Sequence, residues 1–467
     1  MEKIYKRKLI PSEALFIRSP GAIVGMVAKI SGDLNSDKFK YAVKKLIEFH
    51  PILNCKIIWD KNREPYFIET NNCIPISIYT RNSPRDFENI IIDEWKKGFD
   101  LLNGPLCRFT LVRSDLKSEI IFAGHHTIVD GMSITLIIDL LLKIMDNSNI
   151  ELQANYSEEL PSIENLKKFL PKQSFLQRTL DKSISNFINY RWKKSKTELP
   201  QEDIIKAHRV YFEHIYYLVA IDELTKEETS SFIDKCKEHN VTVNSALAAA
   251  FLTCRSEIDG DHITKKTIIP VDLRKRLGAS AKKSIGCYSI SIDIMFTYET
   301  TKSFWENAKT FNALSSKSLM DLQDIKRVES ISGVSLDFLE ASMLSQRIQT
   351  HEEIFKVFPY AKNLSQRGNN VAKIAAKNVI KDPSSFTITN LGLVTIPSEY
   401  EMFKLENLIM YPSSVSYPRA NILLSVITIN NKLTLSYHML NDKSDSIDYN
   451  YLVQSLKERL RRFICSV

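Results

Sequence analysis

The sequence predicts a mixed protein of the α/β or α+β class, built from two halves, and we take α/β as the fold class. Apolar stretches that alternate like strands recur between stretches of helical periodicity along most of the chain. The 467 residues exceed what one hydrophobic core usually supports. A polar region at 151–205 that contains prolines separates two parts with the same mixture of strands and helices.

The first half places strands and helices in close succession. "AIVGMVAKISG" at 22–32 predicts a strand, and "SDKFKYAVKKLIEFHP" at 36–51 predicts a helix that stops at proline. "ILNCKIIWD" and "PYFIET" predict a hairpin, and "PRDFENIIIDEWKKGFD" predicts a helix. "GPLCRFTLVRS" and "SEIIFAG" predict two antiparallel strands, followed by a helix in "MSITLIIDLLLKIM". This half therefore predicts a mixed sheet with helices.

The second half repeats this mixture. "RVYFEHIYYLVA", "KKTIIPVDLRKRLG", "YSISIDIMFTY" and "SFTITNLG" predict strands, the second running into a turn. "TKEETSSFIDKCKEHN" predicts a helix capped by Thr225, and "TVNSALAAAFLTCRSEI" predicts a buried helix. "NILLSVITINNKLTLSYHML" predicts a hairpin that turns at Asn430 and Asn431. Further helices are expected at 301–320, 365–380 and 447–465.

The domain boundaries follow from these patterns. We expect a first lobe over residues 1–175, a linker over 176–205 with helical pieces, and a second lobe over 206–467. Chains of this length commonly divide in this way.

Composition and charge restrict the kinds of partner and the cellular compartment that can be expected. The formal net charge of +8 suits an acidic partner, such as a phosphorylated cofactor or an acidic protein surface. The short clusters "RWKKSK" and "RKR" are typical of solvated faces, so no nucleic-acid partner is expected. Seven cysteines without a C-x-x-C pair fit neither a disulfide framework nor a structural zinc site. No signal peptide and no run of about 18 apolar residues is present, which predicts a cytoplasmic protein without a membrane span.

Several nucleotide-binding and hydrolase motifs are absent from the sequence. Only 13 glycines occur, and G-x-G-x-x-G, G-x-x-x-x-G-K-[ST] and G-x-S-x-G are all missing. These absences disfavour a dinucleotide enzyme, a P-loop enzyme and a standard serine hydrolase.

The stretch "HHTIVDG" at 125–131 directly follows an apolar strand. Successive residues of a strand point to opposite sides, so we expect one of His125 and His126 to face the core and the other a cavity. Either ring could instead be a packed, hydrogen-bonded core residue, and Asp130 could be a helix N-cap. His126 and Asp130 could share a metal ion at i, i+4, but no third ligand stands near them, so no metal site is predicted.

"HHTIVDG" matches H-H-x-x-x-D-G, the hallmark of the chloramphenicol-acetyltransferase-like acyltransferase superfamily, which the chain therefore resembles. That group includes condensation domains, polyketide-associated acyltransferases, alcohol acetyltransferases and plant-type acyl-CoA acyltransferases. "HPILNC" is similar to an early H-P-x-L-R segment of the family, with Asn54 where Arg is usual. "GPLCRFTLVR", "PVDLRKRL" with "IGCYS", and "TNLG" resemble later segments in the same order. The chain looks closest to the alcohol acetyltransferase and polyketide-associated branch.

The resemblance implies roles for the motif residues. His126 would be the general base, and His125 would support the loop. Asp130 would point away from the substrate and pair with a buried Arg274. Gly131 would allow close backbone approach, and N–H groups near it would stabilise an oxyanion.

The resemblance also implies a channel. Two lobes would form a V with a central tunnel, His126 midway along it, the donor entering from one face and the acceptor from the other. Asn390 would line this channel, although a structural role in a turn fits it equally well. Cys287 lies in a segment like one of the family, but a buried, inert thiol is the better interpretation. The phosphates of coenzyme A or an acidic carrier protein would meet a basic run of Arg274, Lys275, Arg276, Lys282 and Lys283.

The predicted function is a stand-alone acyltransferase. It would move an acyl group from acyl-CoA or a phosphopantetheine-linked acyl carrier protein to a small-molecule alcohol, with no covalent intermediate and no permanently bound cofactor. One alternative is a condensation-type enzyme that forms an amide with an amine acceptor between carrier-bound substrates. A second alternative is a non-catalytic binding module of the same fold. The resemblance favours a monomer.

Overall fold

The described part of the chain folds into three β-sheets with helices packed on their faces. The structure, a computed structural model, describes residues 6–14, 16–17, 19, 21–61, 64–147, 175–194, 202, 206, 209–210, 213, 215–259, 265–277, 284–321, 334–335, 338, 386–412, 422–442 and 449–466. The predicted mixed α/β class is confirmed by this arrangement.

Strands and helices alternate irregularly along the described part of the chain. The strands are β1 (Lys6–Lys8), β2 (Ile23–Ser31), β3 (Cys55–Trp59), β4 (Pro65–Glu69), β5 (Ile76–Thr80), β6 (Cys107–Arg113), β7 (Lys117–His125), β8 (Ile215–Glu223), β9 (Lys265–Asp272), β10 (Ser289–Phe296), β11 (Phe386–Leu393), β12 (Lys404–Pro412), β13 (Ile422–Ile429) and β14 (Lys432–Asp442). The helices are α1 (Pro11–Ala14), α2 (Ser36–Phe49), α3 (Asp86–Lys97), α4 (Gly131–Asp146), α5 (Phe175–Lys194), α6 (Lys226–Glu238), α7 (Val243–Asp259), α8 (Arg274–Leu277), α9 (Phe304–Asp321) and α10 (Tyr449–Ser466).

The first large sheet carries the histidine pair. Its strand order is β12-β2-β7-β6-β5, and β5 runs parallel to β6 while the other pairs are antiparallel. α2 and α4 pack against each other, and α4 also contacts β2. β2 is buried along almost its whole length, and its register with β7 sets Ile23 opposite His125.

The second large sheet lies in the other half of the chain. Its order is β10-β9-β11-β13-β14-β8, and β11 is parallel to both of its neighbours. α7 packs against α9 and α10 beside this sheet. The predicted hairpin of β13 and β14 is confirmed: Asn430 and Asn431 both have positive φ, which an asparagine-rich two-residue turn favours. The third sheet is small, with the order β1-β4-β3.

Strand β12 connects the two halves. It follows β11 of the second sheet in sequence, yet it pairs antiparallel with β2 of the first sheet, from Lys404 opposite Ser31 to Pro412 opposite Val24. No local pattern in the sequence indicates this crossing, because an alternating strand can pair with any free edge.

A polar seam fills the space between β12 and the second sheet. The buried ring of His438 has its Nδ1 at 2.7 Å from Tyr217 Oη and its Nε2 at 3.2 Å from both Ser425 Oγ and Met410 O. The Tyr217 hydroxyl also lies 3.1 Å from Pro412 O. These side chains place polar groups beside the carbonyls of Met410 and Pro412 in β12, as buried backbone polar groups require.

Most predicted elements are found with small shifts at their ends. The helix expected at 301–320 is Phe304–Asp321, and the one expected at 447–465 is Tyr449–Ser466. The helix expected at 365–380 lies outside the described residues. The turn expected after β9 is in fact the short helix α8, and α5 overlaps the region where a linker with helical pieces was expected.

Two further expectations concern the whole molecule. The V shape and the tunnel stay predictions. Within the described ranges, no helix combines the length and the apolar character that crossing a membrane requires.

Candidate active site

The two motif histidines sit at the end of β7, where the chain turns towards α4. The backbone N–H of His126 donates to Ala22 O at 2.7 Å, and the N–H of Ile128 donates to His125 O at 3.0 Å. The first bond ties the end of β7 to the residue before β2, and the second closes a tight turn directly after the strand. The imidazole rings of His125 and His126 consequently point into different surroundings.

His125 is a structural residue in this geometry. It is 0% exposed, its Nε2 lies 2.9 Å from Ser19 O, and its Nδ1 lies 2.9 Å from Thr127 Oγ1. Since a carbonyl oxygen only accepts, Nε2 carries the proton. Burial lowers the pKa of His125 to about 3, so the ring is neutral and holds the turn to the segment before β2.

His126 is only half-buried, and its ring nitrogens are used differently. Nδ1 lies 3.0 Å from Val129 O, an acceptor, so Nδ1 carries the proton and Nε2 keeps its lone pair. Among the described residues, no hydrogen-bond partner of Nε2 is found. Burial lowers the pKa of His126 below its ordinary value, although the charge of Asp130 opposes this shift. The neutral ring is therefore in the tautomer that a general base at Nε2 requires.

Two side chains from distant parts of the chain contact the His126 ring. Phe16 stacks on it, with ring centroids 3.9 Å apart and planes 11° apart. Cys287 Sγ lies 3.6 Å from Nδ1. Burial raises the pKa of the Cys287 thiol well above its ordinary value, so the group is a neutral thiol, as expected of an inert buried cysteine. Nothing in the local sequence marks Phe16 as a site residue, so it could not be predicted from the sequence.

Asp130 is held by four hydrogen bonds. Its Oδ1 accepts from Ser133 N at 2.8 Å and Arg274 Nη2 at 2.9 Å, and its Oδ2 accepts from Arg274 Nη1 at 2.7 Å and Tyr288 N at 2.9 Å. It is therefore both the N-cap of α4 and the partner of Arg274, so the two interpretations of this residue coexist. Burial alone would raise the pKa of the Asp130 carboxyl, but Arg274 holds it below the ordinary value.

Arg274 joins its own segment to the motif segment, which lies 144 residues earlier in the chain. Besides Asp130, its guanidinium contacts Asp272 Oδ1 at 3.0 Å and Ser133 Oγ at 2.6 Å. Ser133 Oγ in turn donates to Gly286 O at 2.8 Å. Ser133 could not be predicted from the sequence, because a serine two residues after the motif has no distinguishing neighbour. These bonds fix the start of α4 against the segment that carries Cys287.

Gly131 lies where other side chains approach the start of α4. A Cβ at this position would come within 2.7 Å of Leu391 Cδ2 and 3.1 Å of Met410 Sδ. We expected close backbone approach at Gly131, whereas the atoms that pack against it belong to side chains of β11 and β12. The glycine thus lets the second half of the chain pack directly beside the motif.

The remaining predicted residues lie in less direct positions. Asn390 Oδ1 accepts from Gly392 N at 2.8 Å, a local bond near the end of β11, and both its lining of a channel and a role in a turn stay predictions. Arg276 Nη2 donates to Leu319 O at 2.6 Å. Arg274 is not available for phosphates, contrary to our expectation, because Asp130 occupies its guanidinium. Lys282, Lys283 and the side chain of Lys275 lie outside the described residues.

The family is decided by comparison with known proteins. A family model, described as the condensation domain, matches residues 15–355 of the chain. The chain belongs to the condensation-domain family. This match confirms the superfamily resemblance that the sequence indicated.

Two relatives in sequence are synthases much longer than this chain. Bacitracin synthase 1 of Bacillus licheniformis is 22% identical over 381 residues, which cover 76% of this chain and 7% of that protein. Bacitracin synthase 3 of the same organism is 23% identical over 234 residues, which cover 47% of this chain and 3% of that protein. The chain thus spans only a small part of the length of these relatives.

Solved structures share the fold over nearly the whole chain. The first condensation domain of the CDA synthetase has a TM-score of 0.64 at 12% identity, covering 99% of this chain and 96% of that one. Polyketide synthase associated protein 5 from Mycobacterium tuberculosis has a TM-score of 0.60 at 14% identity, and the match covers 98% of this chain and 97% of that one. Trichothecene 15-O-acetyltransferase from Fusarium sporotrichioides has a TM-score of 0.59 at 13% identity, and the match covers 98% of this chain and 95% of that one. At these identities the likeness shows the fold alone.

Proposed function

We propose that this chain is an acyltransferase that moves an acyl group from a thioester donor to a nucleophile, with His126 as general base. The observation that carries the proposal is the bond from His126 Nδ1 to Val129 O, which leaves the Nε2 lone pair of a half-buried ring free to accept a proton. No covalent enzyme intermediate is required if donor and acceptor bind together.

The proposed reaction balances with the groups at hand. Nε2 takes the proton of the acceptor hydroxyl as the hydroxyl oxygen attacks the thioester carbonyl carbon. The tetrahedral intermediate then loses its sulfur by cleavage of the C–S bond, and the His126 imidazolium returns the proton to the leaving thiolate. The products are an ester and a free thiol. Backbone N–H groups at the start of α4, near Gly131, are the proposed donors to the oxyanion.

An alcohol is the proposed acceptor. A neutral hydroxyl is a weak nucleophile until its proton is removed, whereas a neutral amine already carries a reactive lone pair. A base prepared at Nε2 therefore accelerates ester formation more than amide formation. The proposed donor is acyl-CoA or an acyl group on a phosphopantetheine-bearing carrier protein.

Amide formation between carrier-bound substrates is the second candidate. It is supported by the match to the condensation-domain model and by the synthetases among the relatives. The same base would then take a proton from the attacking amine. In this case the donor and the acceptor would both arrive on carrier proteins.

The test is a thiol-release assay with acyl-CoA and a mixture of alcohols, comparing the wild type with His126→Ala. We expect the variant to lose about 10²- to 10⁴-fold in kcat/KM. His239→Ala is a matched control, because His239 stacks on Trp305 at 4.1 Å and 11°, much as His126 stacks on Phe16, but lies in the second half of the chain. Equal thioester cleavage by the wild type and His126→Ala would refute the mechanism.

Changing one substrate at a time separates the candidates. Amine acceptors in the same assay distinguish amide from ester formation, and an acyl-loaded carrier protein tests the donor. Binding of acyl thioesters without turnover under every condition would indicate a non-catalytic binding module instead.

A further inference from the structure

The segment before β2 is built around the histidine pair. Phe16 covers one face of the His126 ring, Ser19 O accepts from His125 Nε2, and Ala22 O accepts from the backbone N–H of His126. Earlier in the same segment, Ser12 Oγ donates to Cys287 O at 2.6 Å. The segment therefore contacts both histidines and the stretch that carries the neighbouring thiol.

These contacts restrict the His126 ring in two ways. The bond from Nδ1 to Val129 O fixes which ring edge points inwards, and the stacked Phe16 ring fixes the plane in which the imidazole lies. A hydrogen bond alone would still let the ring rock about its axis. With one face covered and Nδ1 tied, the direction of Nε2 is determined.

Building on the function proposed above, we propose that Phe16 is a positioning residue for His126. It holds the ring plane so that Nε2 points steadily at the proton it accepts. In addition, its π face lies parallel to the imidazole at 3.9 Å, where it stabilises the imidazolium that forms when the proton is transferred. Phe16 contacts neither donor nor acceptor in this scheme and acts through His126.

The other titratable and charged groups beside the ring must be considered in any titration. In the described part of the chain they are His125, Asp130 with its partner Arg274, and Cys287. His125 is neutral because it is buried, the charge of Asp130 is paired, and Cys287 is a neutral thiol. None of these groups changes its charge near neutral pH, so a titration there reports on His126 itself.

The test is a nuclear magnetic resonance titration of the His126 imidazole in the full chain labelled with ¹⁵N-histidine. The chain has nine histidines, and a His126→Gln variant assigns the signal. We compare the wild type with Phe16→Leu, which removes the π face but keeps an apolar side chain, and with Phe16→Tyr, which keeps the face. Phe403→Leu is the control, because Phe403 also stacks on an aromatic ring, that of Tyr400, and no contact between Phe403 and His126 is found among the described residues.

We expect Phe16→Leu to lower the pKa of His126 and to replace the single Nδ1–H tautomer by a mixture, while Phe16→Tyr and Phe403→Leu leave both unchanged. In the acyl-transfer assay, Phe16→Leu should lower kcat/KM by roughly 10- to 100-fold, whereas Phe16→Tyr should keep most of the wild-type kcat/KM. An unchanged pKa and tautomer of His126 in Phe16→Leu would overturn the proposal, whatever the activity.

The two readouts separate this proposal from the proposed function. The titration requires no substrate, so it tests the role of Phe16 even if no acyl transfer is found. A wild type without transferase activity, together with a shifted His126 in Phe16→Leu, would refute the function and retain the contact. Loss of activity in Phe16→Leu with a native His126 signal would refute the positioning role and retain the function.

Discussion

The surroundings of His126 and of His438 show how the same side chain is used in two ways. His438 is 1% exposed, and both of its ring nitrogens lie within hydrogen-bonding distance of groups between β12 and the second sheet. His126 is half-buried, and only its Nδ1 has a hydrogen-bond acceptor, Val129 O, in the described structure. The imidazole whose two nitrogens both have hydrogen-bonding partners links neighbouring strands, whereas the imidazole whose Nε2 has no such partner in the described structure can accept a proton.

The largest expected difference is in activity. His126→Gln should lower kcat/KM by about 10²- to 10⁴-fold with little change in the free energy of unfolding, since a half-buried ring is exchanged for a side chain of similar size. His438→Gln should lower stability and leave kcat/KM per folded molecule within a few-fold of the wild type. Acyl-transfer kinetics and urea unfolding of both variants measure this, and a loss of activity in His438→Gln as large as in His126→Gln would break the comparison.

The ion pair beside His126 should give the largest effect on stability. Arg274→Met leaves the carboxylate of Asp130 buried without its counter-charge, which costs about 3–5 kcal/mol of unfolding free energy. The double variant with Asp130→Asn should recover part of this loss, because the charge is then removed. Urea denaturation at neutral pH measures both. A single variant within 1 kcal/mol of the wild type (about fivefold in the unfolding equilibrium) would show that the pair is not needed for the fold.

Acid should act on the two kinds of histidine differently. Burial lowers the pKa of His125 and His438 to about 3, so the folded rings stay neutral while the unfolded chain takes up protons below about pH 6.5. Their contribution to stability is complete above pH 6.5 and is lost as the pH falls towards these values. Between pH 6.5 and 5 we expect a loss of about 2 kcal/mol per buried ring.

The pH dependence of activity sharpens this contrast. Because the pKa of His126 is also lowered, its base form dominates at neutral pH, and kcat/KM should be flat near pH 7 and decline only below about pH 6.5. Rate measurements at pH values where circular dichroism shows the native fold separate this limb from unfolding. A decline that begins above pH 7 would contradict the surroundings assigned to His126.

The smallest effect is expected at the seam itself. Tyr217→Phe removes the hydroxyl that lies beside His438 Nδ1 and Pro412 O, leaving buried polar atoms without that partner. We expect a loss of about 1–3 kcal/mol in unfolding free energy and an unchanged kcat/KM. Chemical denaturation and the acyl-transfer assay test the two halves of this statement separately.

The sequence predicts what depends on neighbouring residues. The helix of 36–49, the hairpin that turns at Asn430 and the cap at Thr225 follow from local periodicity, turn chemistry and capping, and all three are found. The resemblance also led to the contact of Asp130 with Arg274, residues 144 positions apart. A family motif can carry such long-range information, whereas periodicity cannot.

Other parts of the site lie beyond local reasoning. Phe16 meets His126 only because β2 returns beside β7, and Ser133 meets Gly286 only because the two halves of the chain pack together. The sequence around His438 shows only a histidine in an apolar strand. Its contact with Met410 O depends on β12 pairing with the first sheet. Such contacts depend on the tertiary arrangement, which short segments do not determine.

Strand β12 has a consequence for any attempt to divide the molecule. A fragment that ends near residue 205 would expose the edge of β2, a nearly continuous row of apolar residues with unpaired backbone groups, and such edges promote aggregation. A chimaera that exchanges one half for that of another protein would have to carry residues 404–412 with the amino-terminal half. The boundary at which this protein can be cut is therefore set by which strands share a sheet, and the order of the residues along the chain does not reveal it.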